Sequence, residues 1–286
     1  MAPVPAAALD PRDRPIAVFD SGVGGLTVLQ ELLVELPHED FVYLGDTARF
    51  PYGERTAAEL EGFALEIAEL LLTRRAKLLV VACNAASAAA LGALRERMLS
   101  TTIGVEVLGV IEPESRLAAG ASSNRRIGLL ATSATVRSGA YARALAAYAP
   151  DAVLTAVACP DLAPIIQQGF PLDRRVAETV RSYCAPLREA GVDTVILGCT
   201  HYPLIAAMLQ RMLGPQVRLV TSGRSLARTV AESLERAQLG ATRGGEGDYR
   251  FLCTGDVEAF RELGSRFLQM PIEGVEQVVF PLAEAA

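Results

Sequence analysis

Leu78-Leu79-Val80-Val81-Ala82-Cys83-Asn84 is a short apolar run that ends on a thiol. Thr194-Val195-Ile196-Leu197-Gly198-Cys199-Thr200-His201 repeats the pattern in the second half of the chain. Each reads as a buried strand that delivers a cysteine to its carboxyl end, and in open α/β sheets ligands bind just beyond those ends. A second pair of stretches matches as well. Pro15-Ile16-Ala17-Val18-Phe19-Asp20-Ser21-Gly22 resembles Arg126-Ile127-Gly128-Leu129-Leu130-Ala131-Thr132-Ser133, at nearly the spacing that separates the two cysteines. Two halves of similar wiring would therefore present one thiol each to a shared small molecule. That geometry suits taking a proton from one face of a carbon and returning one to the other.

Outward from these runs, strands are predicted at 16–19, 41–44, 78–82, 105–110, 126–130, 153–157, 194–197, 217–220, 249–253 and 277–280. Helical patterns lie between them; Leu60, Phe63, Ile67, Leu70 and Leu71 share one helix face and read as core. Alternating strands and helices indicate a parallel sheet of βαβ units. The expected fold class is α/β: two pseudo-symmetric parallel-sheet α/β domains with the active site between them. The first domain is expected at 15–104, completed by 221–286, and the second at 105–220. Residues 240–248, glycine-rich and charged, read as a surface loop, and 1–14 as a loose tail without the basic start and apolar core of a secretory signal.

Bulk properties narrow the function classes. The chain has 286 residues, 51% hydrophobic and 21% charged, an ordinary globular composition. A net charge of −6 argues against direct nucleic-acid binding, which needs a basic surface, and against docking on anionic lipid. The longest mostly apolar stretch, 78–94, is interrupted by Cys83, Asn84 and Ser87 and is short for a span of about 20 residues, so no membrane association and a cytoplasmic location are expected. Five cysteines without a C-x-x-C pair, and two histidines, give no metal site. Lys77 is the single lysine and stands at the amino end of its strand, badly placed for the Schiff base that pyridoxal phosphate requires. No cofactor is expected.

Cys83 opens a segment of strong helix formers. The helix dipole and free backbone N–H groups should lower its pKa from the reference value of about 8.5. Cys199 has His201 two residues on, a natural proton-handling neighbour. Cys159, Cys184 and Cys253 lack such settings and read as core. Asp20-Ser21-Gly22-Val23-Gly24-Gly25-Leu26-Thr27 follows a strand and opens a helix. Thr27 stands where a dinucleotide fingerprint needs glycine or alanine, even though Asp46 is near the place of a ribose contact. The better reading is a ligand carboxylate held by the loop amides, with Asp20 free as acid, base or orienting group. The turn-rich 45–53 segment ends the second strand and can line the site.

Taken together, Phe19-Asp20-Ser21-Gly22-Val23-Gly24-Gly25-Leu26, Gly45-Asp46 with Pro51-Tyr52-Gly53, Ala82-Cys83-Asn84 and Gly198-Cys199-Thr200-His201-Tyr202-Pro203 resemble the glutamate racemases. Gly109-Val110-Ile111-Glu112-Pro113, 134–141, Ala158-Cys159-Pro160 and Thr254-Gly255-Asp256 extend the resemblance across most of the chain. It implies a cofactor-independent, cytoplasmic enzyme, a homodimer, that supplies D-glutamate for peptidoglycan. Cys83 and Cys199 would be the two acid/base thiols, with Asp20 and His201 tuning their protonation. Ser21, Pro51, Tyr52, Gly53, Asn84, Ala85, Thr132, Thr135 and Thr200 would hold the substrate. Two positions depart from the family's usual pattern. Ala85 replaces a threonine after Cys-Asn, and Gln167 stands where a glutamate near His201 is usual. Racemisation of another acidic amino acid such as aspartate, or non-catalytic binding on the same fold, are the alternative readings.

Overall fold

Residues 10–101, 104–169, 173–242 and 244–280 are described by a computed structural model. Among them ten strands form two parallel sheets. The strands are β1 (Ile16–Asp20), β2 (Phe41–Gly45), β3 (Leu78–Val81), β4 (Glu106–Gly109), β5 (Arg126–Ala131), β6 (Val153–Ala158), β7 (Thr194–Gly198), β8 (Arg218–Val220), β9 (Tyr249–Cys253) and β10 (Glu276–Gln277). The helices are α1 (Leu26–Glu35), α2 (Ala57–Thr73), α3 (Asn84–Ser100), α4 (Ile111–Ala121), α5 (Ser133–Ser138), α6 (Ala140–Tyr148), α7 (Leu162–Gln167), α8 (Arg174–Glu189), α9 (Ala206–Leu213), α10 (Ser222–Ala237) and α11 (Val257–Leu268).

The six-stranded sheet runs β10-β9-β2-β1-β3-β4 and the four-stranded sheet β6-β5-β7-β8. β1, β2, β3 and β7 are buried at every residue. Parallel sheets covered by helices on both faces require such unbroken apolar runs. The order β2-β1-β3 in one sheet repeats as β6-β5-β7 in the other, so the internal repeat seen in the sequence is a repeat of topology. In each sheet the strand order reverses beside the central strand, which opens a crevice at the carboxyl ends. Cys83 follows β3 and Cys199 follows β7, at the same place in the two copies.

One boundary moves. β4 was expected to open the second domain at residue 105, yet it pairs with β3 in register from Leu78–Glu106 to Val81–Gly109. The six-stranded sheet therefore takes one strand that the expected division gave to the other half, because β4 extends an edge that is already hydrophobic. β9 and β10 return to the first sheet, with β9 beside β2.

Part of the expected tail, 1–9, lies outside the described residues. From Pro11 to Asp13 the chain makes one 3-10 turn, and the Arg12 carbonyl accepts a 2.5 Å hydrogen bond from Lys77 Nζ, so this end is fastened rather than loose. Lys77 also donates to the Leu239 carbonyl and pairs with Glu39, both side chains being buried. The single lysine is a structural tie at the amino ends of the strands.

Candidate active site

The loops at the carboxyl ends of the two sheets enclose a narrow cavity of about 30 Å³. Cys83 and Cys199 both line it, as do Ser21, Pro51, Tyr52, Gly53, Asn84, Ala85, Thr132, Thr200 and His201. Of the residues singled out in the sequence, only Asp20 and Thr135 are absent from its wall. Thr135 stands behind Thr132, their hydroxyls 3.1 Å apart. Asp20 is fully buried, and Thr200 Oγ1 donates to it at 3.3 Å from the opposite half.

Local sequence explains how each group is held. β3 ends at Val81, and Cys83 caps α3: its sulfur accepts from the Ala86 N–H at 3.5 Å. Tyr52 is fixed by donating its hydroxyl to the buried Asp46 carboxylate, which also accepts from Arg49 Nε and Thr254 Oγ1. The Gly53 carbonyl accepts from Ala134 N–H at 2.7 Å, which ties the loop after β2 to the start of α5 across the cleft. Beside the second thiol, His201 Nδ1 is 3.9 Å from Cys199 Sγ and Nε2 is 2.8 Å from Gln167 Oε1. Phe50 and Phe267 enclose the imidazole, their ring centres 5.5 and 5.4 Å away.

Residues 27–230 match the Asp/Glu/Hydantoin racemase family. The glutamate racemase of Geobacter metallireducens is 44% identical over 266 residues, covering 93% of this chain and 96% of its own. Among solved structures, glutamate racemase isoform RacE1 from Bacillus anthracis superposes with a TM-score of 0.89 at 35% identity, over 95% of this chain and 100% of that one. Glutamate racemase from Francisella tularensis in complex with D-glutamate gives a TM-score of 0.85 at 32% identity, over 93% and 98%. The chain belongs to the Asp/Glu/Hydantoin racemase family.

In this racemase the electrostatics of the thiols differ from the expectation drawn from helix position. Cys83 is pushed up to about 12, chiefly because burial removes water from the thiolate and secondly because the Asp20 carboxylate lies near; the Ala86 N–H pulls the other way but weakly. Cys199 is raised well above the ordinary thiol range by burial, and a charge on Cys83 raises it further. The helix N-terminus is present, and desolvation outweighs it. His201 is lowered to about 3 by burial, so its imidazole is neutral. Among the described residues the cavity wall carries no lysine or arginine to stabilise a thiolate.

The glycine loop was misread in one respect. A Cβ on Gly24 would come within 2.3 Å of Thr200 Oγ1 and 2.5 Å of the His201 ring. The glycine admits side chains of the other half, not a ligand. The Gly22 N–H donates at 3.0 Å to Asp20's own carboxylate, so that amide does not serve a ligand carboxylate, and Asp20 orients the loop and Thr200 instead of facing the cavity. Cys159, Cys184 and Cys253 are buried free thiols off the cavity, as expected.

Sequence reasoning missed Glu54, Pro160, Ala163, Pro164 and Gly198 in the cavity wall, whereas Phe50 belongs to the 45–53 segment expected to line it. Pro160 was within reach, since it follows Cys159 at the end of β6, the strand that pairs with central β5. Among the described residues no helix is long and apolar enough to cross a membrane.

Proposed function

We propose that the protein interconverts L- and D-glutamate by direct proton exchange at the α-carbon, with Cys83 and Cys199 as the two bases and without a cofactor. The observation that carries this reading is that two thiols, at matching strand ends of two repeated sheets, line one narrow cavity. The names of the relatives, and the D-glutamate bound by the Francisella tularensis protein, support glutamate as the substrate. The product would feed peptidoglycan synthesis from a cytoplasmic homodimer.

In one direction a lone pair of the Cys83 thiolate takes the α-proton, the electrons of the broken C–H bond stay on the α-carbon and spread into its carboxylate, and the Cys199 thiol donates its proton to the opposite face of that carbon. The cycle leaves Cys83 as thiol and Cys199 as thiolate; the reverse direction restores the starting state. Burial raises both thiols and favours their protonated forms, so charge compensation has to come from the substrate. Its α-ammonium is the cation that the cavity wall lacks, and its arrival between the sulfurs favours one thiolate. Hydroxyls of Ser21 and Thr132 and the backbone N–H groups of Gly53 and Ala85 are the donors suited to the α-carboxylate, where carbanion charge spreads in a site with little water; the hydroxyl protons of Tyr52 and Thr200 are held by Asp46 and Asp20, so these two shape the wall. Thr135 holds Thr132, Pro51 shapes the wall, Asp20 holds Thr200, and neutral His201 orients the Cys199 proton. Ala85 offers a backbone N–H but no hydroxyl.

The test is incubation of the protein in heavy water with L-glutamate and, separately, L-aspartate. Deuterium at the α-carbon of glutamate with decay of circular dichroism to zero is the expected result. Exchange confined to aspartate reassigns the substrate, and no exchange with either favours a binding role. Cys83→Ser and Cys199→Ser should each abolish proton abstraction from one enantiomer, by at least ~100-fold more than from the other. Equal, mild losses in both directions would overturn the two-thiol assignment.

A further inference from the structure

Behind the cavity wall lies a buried polar cluster that the reaction scheme above does not use. Asn84, which follows Cys83 and lines the cavity, donates Nδ2 to Tyr141 Oη at 2.7 Å. Tyr141 in turn donates its hydroxyl to Glu114 Oε2, which Asn84 Nδ2 also approaches at 3.4 Å. The cluster joins α3, which carries Asn84, to α4, which carries Glu114, and to α6 of the other sheet, which carries Tyr141. Asn84, Glu114 and Tyr141 are all at most 2% exposed. Both donations run toward Glu114, so the amide of Asn84 is held by its nitrogen side. Asn84 Oδ1 is left buried and without a partner among the described residues, and so is Glu114 Oε1. An unpartnered acceptor on a cavity-lining residue, one position from a reacting thiol, suits an ammonium group.

We propose that Glu114 is a positioning residue for the reaction: acting through Tyr141, it fixes the orientation in which Asn84 presents its carbonyl oxygen to the substrate's α-ammonium. This inference rests on the racemase reading given above. A carboxyl is a costly group to bury for packing alone, and the helix face that holds it is otherwise apolar or small, with Pro113, Ser115 and Ala118 beside it. The groups that face Glu114 are Asn84 of α3, with Cys83 next to it, Tyr141 of α6 and Ser222 at the start of α10. No cation pairs with Glu114 among the described residues; on its own helix Glu112 turns outward to Tyr148 and Arg116 is exposed. Burial accordingly raises the Glu114 carboxyl to about 8, so the neutral acid is the form that the cluster accommodates near neutral pH. Ionisation adds a negative charge behind a cavity that has to accept two carboxylates and whose wall, among the described residues, offers no lysine or arginine.

Steady-state kinetics with L-glutamate between pH 7 and 9 for wild type, Glu114→Gln and Tyr141→Phe test this, with circular dichroism and thermal melts confirming that each folds. In wild type KM should rise about tenfold across that range, beyond what the substrate's own amine contributes. Glu114→Gln should lose that extra rise. Tyr141→Phe removes the 2.7 Å partner of Asn84 and should raise KM about tenfold at pH 7 with a much smaller change in kcat. Variants that melt earlier yet keep the wild-type KM and its pH profile would reduce Glu114 to a structural part and overturn the inference. Absence of turnover in the wild type would remove the racemase reading itself, and this inference with it; turnover with unchanged profiles removes this inference alone.

Discussion

Gln167 is the residue at which this chain's chemistry departs most from the pattern it resembles. Its side-chain oxygen lies 2.8 Å from His201 Nε2. If that oxygen accepts the Nε2 proton, Nδ1 keeps a lone pair directed toward Cys199. No charge assists protonation, and burial holds His201 at about 3. A carboxylate at the same place would favour the imidazolium, because an opposite charge within hydrogen-bond reach stabilises the charged form. Gln167→Glu should therefore raise the His201 pKa by more than one unit, read directly by NMR in a chain with only two histidines. An imidazolium beside Cys199 would then stabilise its thiolate. The pH at which Cys199 becomes an effective base should fall for the enantiomer it deprotonates and stay put for the other. An equal shift for both enantiomers would show that Gln167 does not act through Cys199.

At the scale of the element, the β1–α1 loop decides how closely the two halves meet. Gly24→Ala forces a methyl to within 2.3 Å of Thr200, nearer than side-chain carbons approach, so the halves have to separate or the loop has to shift. We expect activity to fall at least ~100-fold, since a misplacement of about 1 Å at a site costs that much, together with a lower melting temperature. Gly62→Ala is the control: nothing lies within 4 Å of its added carbon in the interior of α2, and it should stabilise the protein by up to about 1 kcal/mol with activity unchanged. Wild-type activity in Gly24→Ala would show that the close approach is dispensable. The same loop marks where reading elements from sequence succeeds and stops. Apolar runs bounded by turn residues located nine of the ten strands, and strand-end cysteines located the cavity, because burial writes itself into hydrophobic pattern; β10, two exposed polar residues, meets the expected 277–280 only at Gln277. A Gly-x-Gly-Gly run says only that something comes close. Whether that is a ligand or Thr200, distant in sequence, depends on the packing of two sheets, which no local pattern records.

For the whole molecule the same limit applies to β4 and to Glu114. Edge membership of β4 and the meeting of Asn84, Glu114 and Tyr141 are set by how the halves assemble; the residues themselves look like an ordinary strand and an ordinary helix. That assembly has a consequence for stability against pH. Glu114 has an ordinary value of 4.5 and about 8 in the fold, so between those limits the native state keeps a proton that the unfolded chain releases, and stability falls as pH rises. His201 has an ordinary value of 6.5 and about 3 in the fold, so the unfolded chain gains a proton that the native state refuses, and stability is lost as pH falls below 6.5. From 4.5 to 6.5 the two slopes oppose and nearly cancel; from 6.5 to 8 Glu114 acts alone of the pair. Asp20, raised in the same direction by burial, adds a descent that is common to wild type and variant. Urea unfolding should therefore show wild type losing about 1.5 kcal/mol relative to Glu114→Gln between pH 6.5 and 8, with the difference opening steadily from pH 4.5 upward. Stability curves of wild type and Glu114→Gln that run parallel from pH 4.5 to 8 would mean that Glu114 titrates in the fold as it does in the unfolded chain, and that the cluster behind Asn84 carries at neutral pH a charge for which no described residue supplies a cation.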